Sequence, residues 1–215
     1  MRPITVTAGP LAAADADGIA QAQQPAAAFT LNGALVSGGV AQLGAPRRVL
    51  ITTTANETGV TFTVTGTNRA GDVLSEDLAG VNNTTTYTAL DFFTVTSVVN
   101  SAALAGNVTI GTNGVGGSEW VFLDLWALAN VALQCTVTGT VNYTVQSTLD
   151  DPNSSTNSVA AEDVTWVSSS DTAVVSATAT KQSNFLFVPA YIRVLLNSGS
   201  GSVVMTVNQS GSVPL

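Results

Sequence analysis

Apolar and polar residues alternate with a period of two along most of the chain. In residues 60–65 a valine, a phenylalanine and a second valine alternate with three threonines, so one face of a strand is apolar and the other carries hydroxyls. A turn signal at residues 68–71 and a second strand at 73–78 predict a β-hairpin. Further strands are predicted at residues 47–54, 92–99, 107–111, 131–137, 140–146, 192–196 and 203–207.

Short strands at this spacing are typical of β-sandwiches and barrels. The chain has 215 residues, enough for one large sandwich or two small ones. Residues 111–118 contain four glycines and no large aromatic residue, which predicts a linker. We therefore predict an all-β fold with two tandem antiparallel β-sandwich modules, Ig-like or jelly-roll-like, at residues 29–114 and 118–215. In the second module, strands 131–137 and 140–146 are predicted to pair around a glycine.

Residues 1–28 show no convincing period and contain three prolines, which predicts an extended N-terminal arm. Two interpretations are open for this arm. It is either a frayed terminus, as is common at chain ends, or a strap that orders against a neighbouring subunit. Asp15 and Asp17 are interpreted as solvated residues of the arm and not as metal ligands.

Composition narrows the classes of function. Only 9% of residues are charged and the net charge is −8, which opposes binding to nucleic acid and also serves solubility. Histidine is absent, so the usual general base and zinc ligand are missing, and we predict no enzymatic activity. The single Cys135 is predicted to be buried and unpaired. No apolar run reaches about 18 residues, which predicts no membrane span.

Two loop motifs can be interpreted either as ligand-binding sites or as purely structural loops. Asp150 and Asp151 are compatible with a calcium site, but no further acid lies nearby before residue 162, so a turn is favoured. The glycines of residues 114–117 lack the lysine of a phosphate-binding loop and are interpreted as a hinge. We predict no catalytic residue, no cofactor and no metal.

Large aromatic residues concentrate in the second half. Trp120, Phe122, Trp126 and Trp166 could form a carbohydrate-binding platform or an intersubunit anchor, or they could belong to the core. The alternation within residues 120–125 favours a strand that is buried on both faces. Core or subunit interface is therefore preferred to sugar binding.

Three arginines could reach carboxylates of a partner. Arg193 lies on the strand face opposite the apolar positions of residues 192–196, and Arg47 and Arg48 begin another strand. A surface salt link of small energetic value is the default interpretation of all three.

Several β-hairpin patterns together resemble structural proteins of tailed bacteriophages. The resemblance covers most of the chain, and its motifs carry no chemistry. It rests on residues 47–52, 59–67, 94–98 and 106–112 in the first half, and on residues 139–146, 148–152 and 193–199 in the second.

The resemblance implies a virion component that is made in the cytoplasm of a host bacterium and assembled in many copies. The first hypothesis is a capsid decoration or cement protein, or a head-fibre protein, that binds the major capsid protein and forms a homo-oligomer, with a trimer favoured. The alternative is a tail, neck or fibre module involved in host attachment. A polysaccharide depolymerase is a third hypothesis, but it needs paired carboxylates in a groove, and the acids here are scattered along turns.

Overall fold

The computed structural model describes residues 3–127 and 129–209. The described residues form sixteen β-strands and no α-helix; Ala161–Asp163 and Thr172–Val174 form single 3-10 turns. The strand pairings that build the sheets are antiparallel, among them β1 with β16, β11 with β16, β12 with β15, and β5 with both β6 and β8. The predicted all-β, antiparallel class is therefore confirmed.

Chain contacts divide the protein into two compact units. Unit 2 is Ala13–Gly114, and unit 1 consists of the described residues up to Ala12 together with those from Val115 onward. The strands of unit 2 are β2 (Asp15–Gln23), β3 (Val36–Ser37), β4 (Val40–Thr53), β5 (Thr61–Thr67), β6 (Val73–Ala79), β7 (Thr85–Tyr87), β8 (Phe92–Asn100) and the first part of β9 (Val108–Gly117). Those of unit 1 are β1 (Ile4–Ala8), the end of β9, β10 (Val121–Phe122), β11 (Val131–Thr138), β12 (Val141–Thr148), β13 (Val167–Ser168), β14 (Lys181–Phe185), β15 (Tyr191–Gly199) and β16 (Ser202–Gln209).

Unit 2 is built on the strand order β9-β4-β8-β5-β6, with β2 beside β9 and with β3 and β7 beside β4. The predicted hairpin is confirmed: β5 and β6 pair antiparallel from Thr61 opposite Ala79 to Thr67 opposite Val73. Along β5 the side chains of Phe62 and Val64 are fully buried, while the threonines between them are half-buried. The period of two in the sequence thus becomes one apolar and one hydroxyl-bearing face.

Unit 1 contains two sheets that share one hydrophobic core. One sheet has the order β1-β16-β11-β14; the other has β13-β12-β15, with β10 and the end of β9 also pairing with β15. Both sheets contribute alternate residues to the core, including Val131, Leu133, Cys135, Val141, Tyr143, Val145, Ile192, Val194, Leu196, Val203, Met205 and Val207. Cys135 is free and buried, as predicted.

The predicted pairing of strands 131–137 and 140–146 is wrong. β11 pairs with β14 and β16, whereas β12 pairs with β13 and β15. The two strands follow each other in sequence but face each other across the core, because each has one apolar face to bury. Gly139 connects the two sheets with a positive φ of 78°, a conformation that favours glycine.

The segment predicted as an N-terminal arm contains two paired strands. β1 lies antiparallel to β16, with Ile4 opposite Val207 and Ala8 opposite Val203. β2 pairs with β9, and a side chain on Gly111 would collide with the carbonyl oxygen of Asp15. Both strands therefore pair within the chain, and the structure differs here from a free arm.

The glycine-rich residues 111–118 were predicted as a linker. The division between the two units does fall inside this stretch, between Gly114 and Val115. Most of the stretch is nevertheless strand, since β9 continues to Gly117. Within unit 1, Gly116 and Gly117 pair with β15, opposite Leu196 and Leu195.

Candidate interaction site

Several strands of unit 1 end at the same end of its sandwich. β11 begins at Val131, which lies opposite both Phe185, the last residue of β14, and Gln209, the last residue of β16. In the other sheet Tyr191, the first residue of β15, lies opposite Thr148 at the end of β12 and Phe122 at the end of β10. The connections between the two sheets that follow Phe122 and Phe185 therefore leave their strands at this end.

Large apolar side chains point into solvent at this end. Trp126 is 97% exposed and Leu186 is 80% exposed, which is unusual for residues of this size in a folded domain. We call the following set the apolar end of unit 1: Phe122, Leu125, Trp126, Leu149, Leu186 and Phe187. Its members lie in or directly beside the strand ends and loops that meet at this end.

The loop that carries Trp126 is fixed by a buried side chain. The Gln209 side chain is 2% exposed; its Oε1 accepts a hydrogen bond from Asp124 N at 2.9 Å, and its Nε2 donates to Asp124 O at 2.8 Å. The Asp124 carboxylate in turn accepts from Trp126 N at 3.0 Å, and Ala127 N donates to Asp124 O at 3.1 Å. Trp126 is therefore presented by an ordered turn while its ring contacts solvent.

The second loop is tied to the same strand ends. Ala190 N donates to Thr148 O at 2.8 Å, and Leu123 N donates to Ala190 O at 3.1 Å. Phe187 packs edge-on against the buried Phe185, with ring centroids 5.6 Å apart. These contacts fix the backbone on both sides of the exposed apolar residues, so the apolar end has a defined shape.

The charged residues in the segments that form the apolar end are all acidic. Residues 121–131, 148–153 and 185–191 contain three aspartates and no lysine or arginine. Asp150 Oδ2 accepts from Thr165 N at 2.7 Å, and Asp151 Oδ1 accepts from Asn153 N at 2.9 Å. The apolar end is thus bordered by carboxylates whose positions are set by backbone hydrogen bonds.

An aromatic cluster covers the outer face of β15, beside the apolar end. Trp120 contacts Trp166 edge-on with centroids 5.0 Å apart, and it contacts Tyr191 at 5.9 Å. Phe122 joins this cluster through Tyr191 at 5.2 Å. Because the rings meet edge to face and pack on one another, they do not form the flat, coplanar platform that stacks well on a sugar.

Arg193 belongs to this cluster and is buried. Its side chain is buried, its Nε donates to Gln146 Oε1 at 3.0 Å, and its guanidinium lies 4.2 Å from the centroid of the Trp166 ring. The burial of Arg193 differs from the surface position that the sequence predicts for it. The outer face of β15 is shielded enough that a delocalised cation stacks on an indole ring there.

The prediction that residues 120–125 form a strand buried on both faces is also wrong. Strand β10 contains only Val121 and Phe122, and Phe122 is half exposed. Leu123 is fully buried, but the chain turns after it and Leu125 faces solvent. The alternation in the sequence correctly predicts that Val121 and Leu123 are buried. It does not show that the strand ends after Phe122.

The remaining candidates lie in unit 2. Arg47 is 1% exposed and its Nη2 donates to Asn113 O at 2.6 Å, so the surface salt link predicted for it is wrong. Burial lowers the pKa of Arg47, and the charge of Asp15 opposes that shift. Arg48 does form an ion pair, with Nε 3.7 Å from Asp91 Oδ1. Asp15 begins β2, and the neighbouring Asp17 is exposed.

Residues 3–127 and 129–209 contain neither a metal-ligating group of side chains nor a membrane-spanning helix. No three His, Cys, Asp or Glu side chains are grouped there as a metal ion would require. The same part of the chain holds no helix with the length and apolar character needed to span a bilayer.

Comparison of this chain with models of protein families, with curated proteins and with solved structures finds no match. The resemblance to phage structural proteins consequently stays a prediction.

Sequence reasoning missed half of the apolar end. Leu149, Leu186 and Phe187 were not singled out, because isolated apolar residues next to strands are common. A usable signal was present in residues 185–188, where four apolar residues in succession break the period of two and directly precede Pro189.

Proposed function

We propose that this chain is a non-enzymatic structural protein of a virion, and that it binds the assembled capsid as a decoration or cement protein. The observation that carries the proposal is the apolar end of unit 1, with Trp126 almost wholly exposed on an ordered turn. A surface of this kind on a rigid scaffold is suited to burial against another protein.

The energetics favour a passive stabilising role. Full burial of one large apolar side chain contributes about 1.5–3 kcal/mol, and the apolar end presents several of them. Ordering costs are low because the backbone beside Leu123 and Asp124 is already held by hydrogen bonds. A protein that binds only the assembled shell shifts the assembly equilibrium toward that shell by mass action.

The proposed partners are the major capsid protein or other virion proteins, and sister copies in a homo-oligomer, with a trimer favoured. The location that follows is the virion, after assembly in the cytoplasm of a host bacterium. The net charge of −8 supports contact with protein surfaces over contact with the packaged nucleic acid.

The test is the abundance of the chain in purified particles, measured by quantitative mass spectrometry. A copy number that matches the subunits or capsomers of the shell is the expected result. A few copies per particle would instead favour the tail, neck or fibre alternative, and absence from particles would overturn the proposal.

A binding experiment adds the residue-level test. Purified protein is sedimented with particles that lack it, and Trp126→Ser is expected to weaken binding by about tenfold or more. Val73→Ser is the matched control, since Val73 is a large exposed apolar residue of unit 2.

Turnover of host polysaccharide in a reducing-end assay would contradict the non-enzymatic part of the proposal.

A further inference from the structure

We infer that the apolar end binds a protein surface made of an apolar pocket bordered by lysine or arginine side chains. This inference rests on the proposed function and specifies the chemistry of the partner. It follows from the placement of apolar and acidic groups at one end of unit 1.

The anchor of the contact is Trp126. Its ring is the most exposed large apolar group among the described residues, and Leu186 is the next. A large, rigid ring at the tip of an ordered turn fills a concave pocket with little loss of conformational freedom. The partner therefore presents a cavity and not a flat face at this position.

The border of the contact is acidic. Asp124 lies two residues before Trp126, and Asp150 and Asp151 directly follow the exposed Leu149. Each of these carboxylates accepts a backbone hydrogen bond that fixes its direction, and a carboxylate has room for further donors. Positively charged groups of a partner would be attracted to these fixed acids.

The same charges argue against the other occupants. A second copy docked through the same end would bring two sets of aspartates together, with no lysine or arginine in residues 121–131, 148–153 or 185–191 to compensate. An anionic lipid surface or a nucleic acid would meet the same repulsion. Charge complementarity thus selects a basic-rimmed protein pocket.

The experiment uses the full chain and three chromatographic probes of defined chemistry. The resins carry phenyl groups alone, phenyl groups with amines, or phenyl groups with carboxylates. Wild-type protein is expected to be retained most strongly on the phenyl-amine resin, and the difference between the charged resins is expected to shrink between about 50 mM and about 500 mM salt.

Variants separate the local surface from the overall charge. Trp126→Ser is expected to reduce retention on the phenyl-amine resin by about tenfold. The double variant Asp150→Asn, Asp151→Asn is expected to reduce it about threefold at low salt only. Its matched control is Asp17→Asn with Asp77→Asn, which removes the same charge from exposed residues of unit 2 and should change retention by less than about 1.5-fold.

Three results would overturn the inference. The first is retention that is unchanged in Trp126→Ser, and the second is an equal loss of retention in the two double variants. The third is a change in the sedimentation coefficient caused by Trp126→Ser, because that change would identify a second copy of the chain as the binding partner. Particle abundance is measured separately. A chain that is absent from particles but shows the expected retention pattern would refute the proposed function and leave the surface chemistry standing.

Discussion

The two units use their side chains at the surface differently. In unit 2 the large exposed apolar residues are Val73, Tyr87 and Val99, and the Tyr87 ring lies beneath the Arg48 guanidinium. In unit 1 such residues are more numerous, and most of them gather at one end of the sandwich. Among the described residues, the large exposed apolar side chains are therefore concentrated in unit 1, and the proposed contact surface lies there.

The acidic side chains of the two units also differ, in how many backbone groups each of them binds. In unit 2 the buried Glu57 carboxylate accepts from Ala105 N and Gly106 N, and Glu76 accepts from Ala89 N and Leu90 N. Each acid holds two successive backbone groups of a loop and so serves the fold. The acids beside the apolar end of unit 1 instead each accept one backbone donor, and Asp151 also accepts from the Tyr191 hydroxyl at 3.4 Å.

The largest expected effect is on the free energy of unfolding, and it distinguishes the buried Leu123 from the exposed Leu125 in one short segment. Leu123→Ala should lower the free energy of unfolding by about 2–5 kcal/mol, because Leu123 is fully buried in the core of unit 1. Leu125→Ala, two residues further on, should change it by less than about 0.5 kcal/mol. Urea titration followed by circular dichroism measures both. Equal losses for the two variants would contradict the assignment of Leu125 to the apolar end.

The next prediction tests whether the buried Glu57 carboxylate stabilises the fold of unit 2. Glu57→Ala should lower the free energy of unfolding by about 1–3 kcal/mol, because it leaves the backbone donors of residues 105 and 106 without their buried acceptor. Glu57→Gln retains one acceptor oxygen and should lose less. Denaturant titration is again the measurement, and a loss no greater than that of an exposed acid, such as Asp17→Ala, would refute this role.

A third prediction tests whether the buried Gln209 side chain holds the loop that carries Trp126 in place. Gln209→Ala should lower the free energy of unfolding by about 1–2 kcal/mol, since both hydrogen bonds to the Asp124 backbone are lost. Hydrogen exchange should rise in residues 123–127 and not in β5. The interpretation of Trp126 as a pre-ordered anchor fails if the exchange of this loop is unchanged.

The smallest effect is a dependence of stability on alkaline pH. Burial raises the pKa of the Cys135 thiol from 9.0 to about 11, against the opposing effect of a hydrogen bond with Tyr143, whose own pKa burial also raises. A raised pKa in the folded state means that the stabilising contribution is complete below the ordinary pKa and is lost as pH rises toward 11.

Thermal unfolding measured between pH 8 and about 10.5 should therefore show a falling midpoint, with a shallower fall in Cys135→Ala. The folded thiol should also react with a disulfide reagent far more slowly than the denatured thiol. Rapid labelling of the native protein would contradict the burial of Cys135.

The local pattern of the sequence predicted the strands better than their partners. The period of two in residues 60–65 locates β5 and its hairpin partner, since both depend on neighbouring residues. The partners of β11 and β12 depend on which strands lie beside them in three dimensions, and sequence proximity suggested the wrong pairing. β1 was missed because its five residues lie between prolines at positions 3 and 10.

The candidate site was predictable only in part. Trp126 and Phe122 stood out by size, but alternation could not show that the chain turns away from the sheet after Leu123. The burial of Arg193 was also missed, because it depends on a contact with Trp166 from a distant part of the chain. Contacts between segments far apart in sequence are not encoded in a local period.

The most direct test of the account is oxidative footprinting of the free protein and of the protein bound in particles. Trp126 is expected to be protected about fivefold or more on binding, whereas Tyr87, an exposed aromatic residue of unit 2, is expected to react at an unchanged rate. Unchanged oxidation of Trp126 in a stably bound chain, together with protection of Tyr87, would contradict the claim that the apolar end of unit 1 is the contact surface.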